Sequence, residues 1–123
     1  MTSPEPSEPG LNRRELARYV ARVSERWPLD RARLGGARAA DARGAPAQRE
    51  RGPEYVVVLV SEAFDGVPWL ERVYAAGNLW DGSEMGGRAE VHCYTPPELL
   101  RRIASLRVVR EAVQDGVDLL AVG

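Results

Sequence analysis

Six consecutive apolar residues, Tyr55-Val-Val-Val-Leu-Val60, form the longest unbroken apolar run in the chain, and four of the six are β-branched. Gly52-Pro53 stands before the run, with Ser61 and then Asp65-Gly66 after it. A bounded run of this length and type fits a central strand buried on both faces, not an edge strand with one face in water. Such a strand has to be covered on two sides, so the remaining apolar segments must supply helices that lie on it or strands that pair with it.

The flanking segments meet that demand. Leu16, Tyr19, Val20, Val23 and Trp27 recur at helical spacing, with Asn12 placed to cap the start and Pro28 to end the element. Arg14, Arg18, Arg22 and Arg26 make a basic stripe beside the apolar one, expected to be a solvated face partly neutralised by Glu15 and Glu25. Leu29 to Leu34 fits a short strand running into Gly35-Gly36, a pair that permits a sharp turn and close backbone approach of the kind used to cradle phosphate. Ala37 to Ala47, small and Arg-punctuated, is expected to hold a helical turn, and Pro46 to Pro53 a polar loop. Beyond the central strand, Asp65 is placed to cap a helix carrying Trp69, Leu70, Val73 and Tyr74, and Asp81 to Gly87 is expected to be a flexible connection.

From Arg88 the sequence alternates, which puts Ala89, Val91 and Cys93 on one strand face and Glu90, His92 and Tyr94 on the other. Thr95-Pro-Pro-Glu98 is a capping box with proline at the first helical position, so a helix is expected from Pro96 through Leu99, Leu100 and Ile103. Val108, Val109, Ala112 and Val113 continue or restart its apolar face up to Gly116, and Val117 to Val122 ends the sequence as a short strand or extended arm. His92 and Cys93 point to opposite sides of a regular strand and so cannot share a metal; a hydrogen-bonded neutral histidine and a buried thiol are expected. Trp27, Trp69 and Trp80 are expected as core or subunit contacts.

One domain over residues 11–123 suits the 123-residue length, with the proline-spaced residues 1–10 expected to be a disordered tail. All 17 basic residues are arginine and the formal net charge is −1, which predicts no general attraction to nucleic acid or to an anionic membrane. Residues 1–10 lack the basic and apolar regions of a secretory leader, and Cys93 is the single cysteine, so a cytoplasmic, reducing location is expected.

The order of these elements, with Val57 to Tyr74, Leu79-Trp80, Glu90 to Glu98 and Val109 to Leu120, resembles the minimal nucleotidyltransferases, a branch of the polymerase-β-like nucleotidyltransferase superfamily. The resemblance spans about Leu11 to Leu120 and is closest after Tyr55. It implies an α/β (α+β) fold, a small mixed sheet of about four strands flanked by helices. It also implies a nucleotide site at a Gly-Ser turn, here Gly35, Gly36 and Ala37, so the glycine is kept and the hydroxyl is not. Two aspartates leading into the second strand and a third on a later strand would hold Mg²⁺ for attack on the α-phosphate of ATP or another triphosphate. Arg51-Gly-Pro-Glu54 stands where the pair is expected, and Glu90 stands for the third.

Glu54 and Glu90 are therefore the candidate catalytic and metal residues, with Glu50 or Asp41 as candidates to complete a site. Two readings remain open. In one, catalysis is lost and the chain works by protein interaction, as a homo-oligomer or as the antitoxin-type partner of a small helical HEPN-type protein, through apolar surface around Trp80 or the closing strand. In the other, it is a Mg²⁺-dependent enzyme transferring a nucleotide from ATP to a protein or small molecule. Ser61 to Arg72 bears a looser likeness to BolA-like proteins but lacks the histidine that would follow the arginine.

Overall fold

The computed structural model describes residues 11–44 and 52–121; the expected tail, most of the loop before the central strand, and Glu50 lie outside them. Helix α1 (Arg13–Arg26) is followed by β1 (Arg31–Gly35), α2 (Ala37–Ala42) and the central β2 (Tyr55–Val60). After it come α3 (Trp69–Asn78), α4 (Gly82–Met85), β3 (Ala89–Tyr94), α5 (Pro96–Ser105), α6 (Arg107–Asp115) and β4 (Val117–Asp118). The strands lie in the order β3-β2-β1-β4, with β2 and β3 parallel and both contacts of β1 antiparallel. This is the expected four-stranded mixed sheet.

β2 is buried at all six positions. Alternation sends Tyr55, Val57 and Leu59 into a core with Leu16, Tyr19 and Val23 of α1, while Val56, Val58 and Val60 pack against Leu99 of α5 and Val109 and Ala112 of α6. Burying six such side chains contributes on the order of 10 kcal/mol of gross transfer free energy, comparable to the whole net stability of a domain. The strand is thus the sandwiched layer of a helix–sheet–helix arrangement.

Local signals fix most of the ends. Asn12 Oδ1 accepts from the Glu15 amide to start α1, and Thr95 with Glu98 completes the capping box of α5. Arg14, Arg18, Arg22 and Arg26 are exposed, two of them within 3.5 Å of Glu15 or Glu71, as a solvated face should be. Gly35 lacks a side chain because α6 crosses there: a Cβ would lie 2.8 Å from that of Ala112.

Three expectations need correction. β1 begins two residues after Leu29 and presents Ala32 and Leu34 inward. Asp65 does not cap α3: Ser61 caps a single 3-10 turn over Glu62–Phe64, and the chain turns at Gly66, with φ of 82°, before Pro68 leads into the helix. Asp81 to Gly87 is no loose connection, since Asp81 Oδ1 accepts from the Glu84 amide and makes the segment a capped helical turn. Trp80, half-buried, makes the core contact expected of it. It packs 5.3 Å from Tyr19 and 5.1 Å from Tyr55 by ring centroids, and its indole N–H donates to Gly87 O.

Candidate functional site

Antiparallel pairing of Gly35 with Val56 brings the end of β1 to the beginning of β2, so the glycine turn meets the segment entering the central strand. Gly36 takes a φ of 97°, and a Cβ there would lie 2.7 Å from the Glu54 carbonyl oxygen and 2.8 Å from Tyr55 Cα. The turn is therefore closed by backbone on backbone. The Ala37 amide donates to Pro53 O at 2.9 Å, and the Arg38 amide donates to Glu54 O at 3.0 Å. These are donors a phosphate cradle would present to its ligand. Here they are committed to two carbonyl oxygens, whose partial negative charge also disfavours an anion in the same place.

Parallel pairing of Tyr55 with Ala89 brings Glu54 and Glu90 to the same end of the sheet. Each is engaged separately. Glu54 lies 3.7 Å from Arg38, whose guanidinium also donates to Gly86 O and sits 5.3 Å from the Tyr55 ring. Glu90 Oε2 lies 2.7 Å from His92 Nε2, and His92 Nδ1 lies 2.8 Å from the Tyr94 hydroxyl. An ionised carboxylate only accepts, so one neutral tautomer satisfies both contacts: Nε2–H donates to Glu90 and Nδ1 accepts from Tyr94.

Mg²⁺ demands near-ideal octahedral coordination by oxygen, usually carboxylate and water. The residue paired with Glu90 across the ladder is Val56, fully buried and without a charge to offer. The β2–β3 register thus gives Glu90 no acidic neighbour directly across the ladder. Among the described residues, no group of three or more His, Cys, Asp or Glu side chains gathers as a metal site. The described residues do not fit a two-metal centre.

The opposite end of the strand pair carries polar chemistry that the sequence did not announce. Arg72 is buried and donates to Val67 O, to Cys93 O at 3.2 Å, and to Glu98 at 2.7 Å. Glu98, picked out as a capping residue, thus serves a second purpose. The Arg72 guanidinium, helped by the Thr95 amide, holds its carboxyl well below the usual range, down to about 2. Burial pushes the Cys93 thiol up to about 12, so it is a core residue and not a nucleophile. The arginine that prompted the looser BolA likeness is spent on this structural network.

No family model matches the chain, and no curated protein does. Among solved structures, it is similar to a Sulfolobus solfataricus protein described as a nucleotidyltransferase, with 17% sequence identity and a TM-score of 0.52. The match covers 86% of this chain and 77% of that one. At that identity the likeness speaks for architecture alone, and with the mixed sheet between two helical layers it gives this chain a nucleotidyltransferase-like fold.

Proposed function

We propose that this chain is a nucleotidyltransferase-like protein that has lost nucleotide transfer and works by protein interaction. The observation that carries the reading is the commitment of the Ala37 and Arg38 amides to Pro53 O and Glu54 O. Without those donors, and with Glu54 and Glu90 drawn to Arg38 and His92, neither triphosphate nor Mg²⁺ meets the groups that in-line transfer requires. ATP and Mg²⁺ are cofactors only in the alternative, an active enzyme in which Glu54 and Glu90 recruit a further carboxylate.

For the interaction, support comes from α3. Leu70 and Tyr74 stand four residues apart on one helical face and are 62% and 66% exposed. Large apolar side chains so placed are costly to leave in water and are typical of a contact surface. The resemblance drawn from the sequence makes a small helical HEPN-type protein the first partner to test, with a second copy of this chain as the other. None of the helices in the described residues is long and apolar enough to cross a membrane.

Light scattering on a sizing column tests this directly. The chain alone, or mixed with a HEPN-type protein, should run as a complex, and Leu70→Asp with Tyr74→Asp should disperse it while leaving the far-UV circular dichroism of the folded chain unchanged. A monomer in both experiments, combined with Mg²⁺-dependent transfer of label from ATP, would overturn the proposal.

A further inference from the structure

Trp69, Arg72, Tyr94, Glu98, Arg101 and Arg102 line a cleft of about 210 Å³. It lies where β3 ends, at the carboxyl end of the parallel β2–β3 pair and away from the Gly35-Gly36 turn. Crevices outside the carboxyl ends of parallel strands are the customary binding positions in α/β sheets. One wall is aromatic and rigid: Trp69 stacks on Tyr94 with centroids 5.5 Å apart, and the Tyr94 hydroxyl is held by His92. Trp69 nevertheless keeps 43% of its surface exposed, so part of its ring remains open to a ligand.

The charges are unevenly satisfied. Glu98 is matched by Arg72, which removes most of its repulsion toward an incoming anion. Arg101 and Arg102 are exposed on α5, and among the described residues neither has a carboxylate partner. Arg102 and Tyr94 line the same cleft. Two guanidiniums beside an aromatic wall suit a doubly charged oxyanion attached to a flat group, because guanidinium geometry matches phosphate and ring stacks on ring. Drug-sized ligands occupy pockets of roughly 300–1,000 Å³, so this smaller cleft admits one ring and one phosphate in preference to a nucleoside triphosphate.

We propose that this cleft binds a phosphate monoester carried on a single planar ring, with the phosphate between Arg101 and Arg102 and the ring against Trp69. The inference goes beyond the reading of the glycine turn and does not depend on it, since binding here needs no divalent metal.

Isothermal titration with phenyl phosphate in EDTA supplies the test. One saturable site is expected, with inorganic phosphate about tenfold weaker for want of the ring contact. Arg101→Ala and Arg102→Ala should each weaken phenyl phosphate by about tenfold at unchanged melting temperature, because both side chains are exposed. Affinity should rise from pH 5 to pH 7.5 as the phosphate takes its second charge near pH 6. AMP, whose phosphate is carried on ribose and whose base is two fused rings, should bind at least about tenfold more weakly than phenyl phosphate, and equal binding of AMP would overturn the single-ring assignment. Absence of saturation, equal affinity for inorganic phosphate, or full affinity in the double arginine variant would each overturn the proposal.

Discussion

Gly36→Ala is expected to lose about 3 kcal/mol of stability, whereas Gly44→Ala should lose only about 1 kcal/mol. Both glycines have positive φ, 97° and 77°, so both substitutions incur the backbone penalty. They differ in what the new methyl group meets. At Gly44 there is nothing within 4 Å, while at Gly36 it would be pressed onto the Glu54 carbonyl and Tyr55 Cα, neither of which can yield without parting α2 from the entrance of β2. That separation would also stretch the hydrogen bonds from Ala37 and Arg38, each worth about 1 kcal/mol. Urea unfolding of the two variants measures the difference. Equal losses would show that the turn and the strand entrance are not in close contact.

Arg72→Met should cost about 3 kcal/mol, because it strips Glu98 and the Val67 and Cys93 carbonyls of a shared donor while keeping most of the side-chain volume. The same pair sets an acid limit. The Glu98 pKa is lowered from 4.5 to about 2, so its contribution is fully present above pH 4.5 and is lost as pH falls toward 2. Linkage caps that contribution near 3 kcal/mol; with the side chain 32% exposed, solvent screening brings it closer to 2 kcal/mol. Unfolding followed from pH 6 to pH 2 should therefore steepen below pH 4.5 in the parent protein and lose that component in Arg72→Met. An unchanged acid profile would contradict the assignment.

The main architecture was legible because it rests on local rules. A six-residue apolar run demanded two covering layers, and Thr95-Pro-Pro-Glu98 declared its helix through cap chemistry alone. The strand faces of β3 followed from alternation, down to the hydrogen-bonded row Glu90, His92 and Tyr94. Around Asp65 and Asp81 several side chains can cap, and tertiary context decides which one does. What stayed hidden depends on register and long-range approach. That Val56 faces Glu90, that Arg72 reaches Glu98, and that Gly36 gives up its neighbours' amides to Pro53 and Glu54 all require knowing how distant segments dock.

Amide chemical-shift mapping at Ala37 and Arg38, with ATP titrated in the presence of Mg²⁺ and again in EDTA, probes the closed glycine turn most directly. Because these backbone groups are already bonded within the chain, their resonances should stay fixed under both conditions, whatever the arginine cleft on α5 does. Saturable, Mg²⁺-dependent shifts at those two amides would instead mean that the turn opens to hold a triphosphate, and that the chain retains a working nucleotide site.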